Sequence, residues 1–501
     1  MTDKKGAGAV EATMIDDLKD SGFDQQKEIL AHQNFRGKSD EEVAALKKAM
    51  LRKVDTRVMP MLIILFLLNI LDRNNFTNAR LGGLEDDLKL SDHQYNTCLM
   101  IMYVGYLLFQ FPSNVILSNF PRPGVYLSVA AVLWGAISTC MAAARNFREA
   151  LVVRFFLGFA EAPFFPGALL MLSSWYQKDE LPFRIAILYA GNTISNCFGG
   201  LIAAGVLGGM NDAAGIHSWR WLFILEGCFT IFIAIIAGFV LPSYPKDVKW
   251  LTEEEREYAI WRLSVEVAGQ DDGEDGSKSI WDGGLQAIKD PKVYMLILIQ
   301  FSLNTGMAYT YFFPSIVKTL GYNKIVTLLL TAPPYALAFF GSLGNSIHAG
   351  KTNERAFHVA VPMAISMIGN ILCITITGTG GRYFAMFLMT FGVYSAFNVT
   401  YSWVSATIPR PRSKRAAALA MVNIMGNSTH LFTSYLYPDS DKPRYARAGI
   451  TLALFCGLGG VSSIALRYWL RHENKKLDRL EGTVGEDAEN GARRKGFRYV
   501  L

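Results

Sequence analysis

Arg154 and Glu161 sit seven residues apart in the run Arg154-Phe-Phe-Leu-Gly-Phe-Ala-Glu161-Ala-Pro-Phe-Phe-Pro166-Gly-Ala-Leu-Leu-Met-Leu172. The run is apolar enough for a bilayer, yet it holds one guanidinium and one carboxylate. As a helix it puts both on one face, two turns or about 10 Å apart. A charge in hydrocarbon costs roughly 3 kcal/mol even on lenient insertion scales, so such groups face a partner or a watery cavity. They therefore read as the wall of a pathway; the alternative is an ion pair that only locks helices together.

A second charged stretch, Leu68-Asn69-Ile-Leu-Asp72-Arg73-Asn74-Asn75, closes the first long apolar run. Counted from the ends of their runs, Asp72 and Arg154 lie at matching depth in the outer third, and they are expected to pair. Glu161 lies deeper, near the midplane, with no cation evident at its level. A carboxylate there that toggles between neutral and charged is what a proton-coupled carrier needs; the alternative is a permanently neutral group bonded to backbone. Arg73 either swings towards an incoming anion or snorkels to the surface. Glu226 is expected to pair with a neighbouring span.

These groups need spans to hold them, and the chain supplies them. Of 501 residues 51% are hydrophobic and 18% charged, with a mean hydropathy of +0.21. Apolar runs fall at about 58–75, 94–118, 124–144, 149–173, 184–207 and 219–241, then at about 293–317, 325–347, 356–378, 383–406, 414–437 and 448–470. The fold class is an all-α polytopic membrane protein of twelve transmembrane helices in two pseudo-symmetric six-helix bundles. The organisation is a tail with an amphipathic helix (1–57), a first bundle (58–241), a central loop (242–292), a second bundle (293–470) and a tail (471–501). Ser39-Asp-Glu-Glu42 is a capping box that opens the amphipathic helix, expected to lie on the membrane surface before the first span.

Lys47, Lys48, Arg52, Lys53, Arg57, Lys246, Lys249, Arg471, Lys475 and Lys476 share one side, which the positive-inside rule makes cytoplasmic, with both termini. The net charge of +6 reads as topology and anionic-lipid contact, not nucleic-acid binding. The sequon Asn75-Phe-Thr77 would lie against the membrane and is expected unmodified. All six cysteines fall in apolar runs, with no CxxC and no metal-ligand spacing. No metal and no cofactor is expected, protons being the coupling ion, and no catalytic constellation appears in the spans.

A faint repeat supports two halves. Gly158-Phe-Ala-Glu-Ala162 echoes Gly392-Val-Tyr-Ser-Ala396, and Arg184, Asn192 and Asn196 echo Arg415, Asn423 and Asn427 with identical spacing. Duplicated halves place substrate near the midplane between them. The second half offers Gln300, Asn304, Tyr309, Tyr311, Asn398, Trp403, Asn423, Asn427 and His430, neutral groups that serve either as ligands or as glue between helices. Gly191, Ser195, Gly199 and Ala203 form a small-residue ridge for close packing. Pro163, Pro166 and Pro333-Pro334 are expected to kink their spans.

Several motifs together resemble the fungal anion:cation symporters of the major facilitator superfamily, allantoate permease type. They are Arg52-Lys-Val-Asp55-Thr-Arg57-Val-Met-Pro60, Leu71-Asp-Arg-Asn-Asn-Phe-Thr-Asn-Ala-Arg80, Gly105-Tyr-Leu-Leu-Phe-Gln-Phe-Pro-Ser-Asn114, Arg154-x3-Gly158-x2-Glu161-Ala-x3-Pro166, Trp219-Arg-Trp-Leu-Phe-Ile-Leu-Glu-Gly227 and Phe497-Arg-Tyr-Val-Leu501. The resemblance implies a major facilitator fold and proton-coupled uptake of a small organic anion by alternating access. Family substrates include allantoate, nicotinate, pantothenate and biotin. It also implies coupling roles for Asp72 and Glu161 and anion binding by Arg73 and Arg154. From the residues alone, Asn192, Asn196, Gln300, Asn304, Tyr309, Asn398, Trp403, Asn423, Asn427 and His430 are expected as further substrate ligands. A monomer in the fungal plasma membrane is expected. Two departures stand out: Asn119-Phe-Pro-Arg122-Pro and Ala349-Gly-Lys351 replace the superfamily's usual inner-gate loops. The rival readings are an exporter of an acidic metabolite and a non-transporting nutrient sensor.

Overall fold

A computed structural model describes residues 38–177, 180–210, 213–245, 248–271, 280–408, 412–483 and 498–501. The polar segment 1–37 and residues 484–497 of the charged tail lie outside the described residues, as does Lys246. The described residues form helices and no strand.

Ser39 opens α1 (Asp40–Leu81) with the expected capping box: its Oγ accepts from the Glu42 amide at 3.3 Å, and Glu42 Oε2 accepts from the Ser39 amide at 2.8 Å. The amphipathic helix and the first span are one continuous helix, which corrects the expectation of a separate surface helix. Three of its basic residues are taken up by the protein itself. Lys53 pairs with Glu255 at 2.7 Å, Lys47 with Glu180 at 3.0 Å, and the Arg57 guanidinium lies 4.4 Å from the Trp250 ring centre.

The first half continues with α2 (Asp92–Asn119), α3 (Pro123–Cys140), α4 (Phe147–Glu161, resuming as Phe164–Ser173), α5 (Leu181–Gly209) and α6 (Ser218–Val240). The second half has α7 (Pro291–Gly306), α8 (Lys324–Leu329, resuming as Ala332–Thr352), α9 (Ala356–Thr375), α10 (Thr379–Thr407), α11 (Arg412–Ser428) and α12 (Ala446–Thr483). The breaks in α4 and α8 fall at Pro163 and just before Pro333-Pro334, where backbone donors are missing. Nine helices among the described residues are long and apolar enough to cross a membrane unaided. The second, seventh and eleventh spans are outside that count but present as α2, α7 and α11; α7 ends at Gly306 in a 3-10 turn.

The pairing of helices repeats from one half to the other. α1 packs on α5 and α6, α2 on α4, and α3 on α6; in the same way α7 packs on α11 and α12, α8 on α10, and α9 on α12. The halves meet where α2 touches α11 and α5 touches α8, again an equivalent pair. This is the two-bundle architecture that the duplicated sequence pattern implies. The small-residue ridge of α5 packs on α1: Ser195 Oγ donates to the Leu67 carbonyl at 2.8 Å, and Gly199 faces Leu71. The Gly158 and Gly392 echo does not carry over. Gly158 packs on Met102 of α2, whereas Gly392 packs on Pro362 and Ser366 of α9 rather than on α8.

One end of the bundle, the basal face, carries Ser39 and the starts of α1, α7 and α9. The distal face carries Arg80, Asp92 and Asp439. There Arg80 bonds to Glu85 at 2.8 Å, Asp92 at 3.2 Å and, across the halves, Asp439 at 3.1 Å. Burial pushes the Asp439 carboxyl up, but Lys442 and Arg80 outweigh it and hold the group below its ordinary range.

Candidate functional site

A cavity of about 120 Å³ lies between the halves. From the first half α1 contributes Phe66, Asn69, Ile70, Arg73 and Asn74, α2 contributes Tyr103 and Tyr106, and α5 contributes Tyr189, Asn192 and Asn196. The second half contributes Asn304, Thr310, Tyr311, Tyr394, Phe397, Tyr401, Asn423, Asn427 and His430. Of the residues singled out from the sequence, Arg73, Asn192, Asn196, Asn304, Asn423, Asn427 and His430 are brought together around this hollow.

Helical geometry decides which charges reach it. Neighbouring residues on a helix point about 100° apart. Asn69 and Arg73 share the cavity face of α1, so Asp72 faces the other way, into the packing against α3 and α6. Asp72 is fully buried and accepts from Ser138 Oγ at 2.7 Å and Thr230 Oγ1 at 3.3 Å. One turn on, Asn75 is also buried and donates to Glu226 at 2.5 Å. That bond confirms a partner for Glu226 on a neighbouring span and puts the sequon's asparagine out of reach of solvent. Among the described residues neither Asp72 nor Glu226 forms an ion pair.

The expected pairing of Asp72 with Arg154 is therefore not formed. The carboxylate that pairs is Glu161: Arg73 Nε donates to its Oε2 at 2.5 Å, with the guanidinium 4.7 Å from the Tyr106 ring centre. The expectation that Glu161 lacks a cation at its level is likewise corrected; matching depth had to be read together with rotation about α1. Glu161 is fully buried, while the Arg73 side chain keeps 13% exposure.

Among the described residues no carboxylate pairs with Arg154. It is 1% exposed, donates from Nε to the Cys98 carbonyl at 3.3 Å and lies 4.8 Å from the Phe76 ring centre, and its Nη1 has no hydrogen-bond partner.

The asparagine echo is structural. Asn196 Nδ2 donates to the Asn192 carbonyl at 2.8 Å and to its Oδ1 at 3.1 Å; Asn427 Nδ2 donates to the Asn423 carbonyl at 3.0 Å and to its Oδ1 at 2.8 Å. The symmetry extends to the basal ends. Arg184 of α5 grips Asp55 of α1 through two bonds of 2.7 and 2.8 Å, and Lys414 of α11 holds Asp290, at the start of α7, at 2.7 Å. Burial pushes the Asp290 carboxyl up, but Lys414 and the Lys292 amide outweigh it and hold it low.

Four further candidates do not line the cavity. Gln300 stands behind Asn304 and donates to its Oδ1 at 2.8 Å. Tyr309 is buried against Phe313, Asn398 donates to Ser342 Oγ at 3.0 Å, and the Trp403 indole donates to the Val500 carbonyl at 3.1 Å. Their polar atoms are turned into helix packing instead.

What the sequence reading missed is most of the aromatic wall, of which it named Tyr311 and His430 but not Tyr103, Tyr106, Tyr189, Tyr394, Phe397 or Tyr401. Tyr189 stacks on Tyr401 across the halves at 5.4 Å, the Tyr103 and Tyr311 hydroxyls touch, and the His430 ring lies 4.2 Å from that of Tyr103. Tyr394, Phe397 and Tyr401 recur at helical spacing on one face of α10, a signal that could have found them. The lining offers one cation, paired carboxamides and ring faces, with the Glu161 carboxylate buried behind Arg73 and outside the lining, and such a hollow suits a small polar solute. No cluster of metal-ligating residues occurs among the described residues.

The Major Facilitator Superfamily matches residues 62–434. The chain is 32% identical to the MFS-type transporter cnsO of Penicillium expansum, over 100% of this chain and 98% of that protein. It is 27% identical to the high-affinity nicotinic acid transporter of Saccharomyces cerevisiae, over 86% of this chain and 79% of that one. Among solved structures it resembles the proton:xylose symporter XylE, with a TM-score of 0.64 at 15% identity, covering 83% of this chain and 96% of that one. A bacterial homologue of the lysosomal transporter Spinster, inward-facing and unoccupied, gives a TM-score of 0.60 at 16% identity over 82% and 93% of the two chains. With its helical pairing repeated in two halves around a shared cavity, the chain belongs to the major facilitator superfamily and is a multi-pass membrane transporter of a small-molecule solute.

Proposed function

We propose that the protein is a proton-coupled importer of a small carboxylate-bearing solute, as in the anion:cation symporters it resembles, working by alternating access in the plasma membrane. The observation that carries this reading is the Arg73–Glu161 ion pair at the cavity edge. A proton on Glu161 removes the negative charge that engages Arg73. The guanidinium is then left without a counter-charge in a low-dielectric wall, a costly state that a substrate carboxylate relieves. Its planar fork suits a carboxylate bidentately.

Among the described residues Arg154 has no carboxylate partner, and it lies two turns along α4 from Glu161. Its charge favours the return of Glu161 to the ionised form once solute and proton have left. Asp72, which touches neither arginine, is a second proton carrier held by Ser138 and Thr230. The tyrosine rings and the asparagine pairs grip the remainder of the solute. One proton with a monoanion moves no net charge, so the pH gradient drives uptake. A second proton would add about 2.3 kcal/mol per 100 mV of membrane potential.

The family resemblance and the nicotinic acid transporter among the relatives support a vitamin-like, ureide or amino-acid-like anion. The test is uptake of radiolabelled nicotinate, pantothenate, allantoate and biotin by expressing cells at external pH 5 and 7.5. At least one should accumulate faster at pH 5 and lose that advantage with a protonophore. Accumulation inside cells that is lower than in controls, at both pH values, would instead identify an exporter.

A further inference from the structure

α9 starts without a cap of its own. Its N-cap residue, Arg355, has helical backbone angles and its side chain caps nothing. The first amides of a helix need acceptors from outside it. Here they find the Leu501 carbonyl oxygen, which accepts from the amides of both Arg355 and Ala356.

The rest of that short segment is held as specifically. The Val500 carbonyl accepts from the Trp403 indole at 3.1 Å. Tyr499 exchanges two backbone bonds with one carboxamide: Asn474 Nδ2 donates to its carbonyl at 2.9 Å, and its amide donates to Asn474 Oδ1 at 2.8 Å. The Lys292 ammonium lies 5.2 Å from the Tyr499 ring centre, and Arg498 Nε donates to Asp478 at 2.7 Å. Tyr499 and Leu501 also pack on the apolar core of the second half. Four helices, α7, α9, α10 and α12, thus contribute to one slot on the basal face. Backbone groups fixed by directional bonds, with side chains seated between them, is how folded domains bind short peptides.

The slot is also what satisfies Trp403. The indole is fully buried, and without Val500 its N–H would be left unpaired. We propose that this slot is a peptide-binding site whose ligand is the chain's own Arg498–Leu501 segment, a detachable strap that caps α9 and ties it to α10 and α12. Tyr401, which stacks on Tyr189 at the cavity, lies on the same last stretch of α10, so the strap steadies the second half beside the solute path.

The test uses the purified chain lacking residues 498–501 and the free peptide acetyl-Arg-Tyr-Val-Leu, and needs no solute. Hydrogen exchange at the first turn of α9 should speed up at least tenfold on truncation and return to the full-chain rate with saturating peptide. The reversed sequence, Leu-Val-Tyr-Arg, should do nothing. Unchanged exchange on truncation, or a truncated chain indifferent to the peptide, overturns the proposal. If the truncated chain does not accumulate, the full chain carrying Asn474→Ala serves. Trypsin should then cut after Arg498 several-fold faster than in the unaltered chain, and an unchanged rate overturns the proposal equally.

Discussion

Arg73 and Glu161 close an ion pair of 2.5 Å between α1 and α4, and Arg154, on the same helix as that carboxylate, is left with a backbone carbonyl and a ring face. Of Arg73 and Arg154, only Arg73 is paired with a carboxylate among the described residues. The unequal sharing turns on Glu161. While ionised it occupies Arg73; under the proposed function its neutral form would release Arg73 to an organic anion.

Glu161→Gln fixes the neutral form. The variant should bind the transported anion at least as tightly as the unaltered protein, because Arg73 is no longer engaged. It should also exchange labelled for unlabelled solute across proteoliposomes, but fail to concentrate solute against its gradient. Binding measured by scintillation proximity, alongside exchange and uphill uptake, separates these outcomes; uphill uptake at the normal rate would refute the role.

Arg154→Lys keeps the charge but not the geometry. The Nε bond to Cys98 and the stacking over Phe76 both need a planar guanidinium. Losing a charged hydrogen bond and a cation–ring contact together should cost about 2 kcal/mol. Initial uptake rates should fall at least about tenfold, an effect of roughly 1.4 kcal/mol or more. Melting in detergent should also fall by a few degrees, since both contacts belong to the resting structure.

Packing between α2 and α4 sets the position of Glu161. A methyl group on Gly158 would overlap the Met102 carbonyl, which is backbone and cannot swing aside. Gly158→Ala should destabilise by about 1–3 kcal/mol or more through overpacking, read as a lower melting temperature. Gly205→Ala is the control: nothing lies within 4 Å of the added methyl, and replacing a helical glycine should leave stability equal or slightly higher.

At the distal face, Arg80→Ala removes the ion pair that bridges the halves. A cysteine placed at Thr97, whose hydroxyl lies 3.0 Å from that of Tyr435 across the same seam, should then react several-fold faster with a polar maleimide. Acid alone should not do this. A carboxyl held below its ordinary range contributes its bond above the ordinary value, about 3.9, and loses it only as pH falls through the lowered one. Asp439 is such a group, so labelling in the presence of Arg80, expressed relative to a fully exposed thiol at the same pH to remove the change in thiolate fraction, should be equal at pH 7 and pH 5. A rise at pH 5 would show that the seam opens by another route.

The spans were legible because long apolar runs need no tertiary knowledge, and the asparagine pairs were legible because i, i+4 spacing survives into structure. Asp72 shows where that kind of reading stops. Depth along a helix follows from counting, but the face it presents depends on which neighbours pack around α1, and Ser138 and Thr230 take it. Trp403 was placed at the cavity because an indole in a span suggests stacking; its partner, Val500, lies 97 residues away in a segment with no local signature of docking. Most of the cavity tyrosines went unread for the opposite reason, since aromatic residues are ordinary members of an apolar run. The basic start of α1 looked like a membrane-surface helix because its acidic partners, Glu180 and Glu255, come from distant parts of the chain.

The account rests on a proton breaking the Arg73–Glu161 pair so that an anion can take its place. It is tested most directly in proteoliposomes with an imposed inward proton gradient, using whichever labelled carboxylate the uptake panel identifies. The unaltered protein should concentrate it several-fold and release it when a protonophore collapses the gradient, whereas Glu161→Gln should only equilibrate it. Accumulation that ignores the protonophore, or that persists undiminished in Glu161→Gln, would contradict the account.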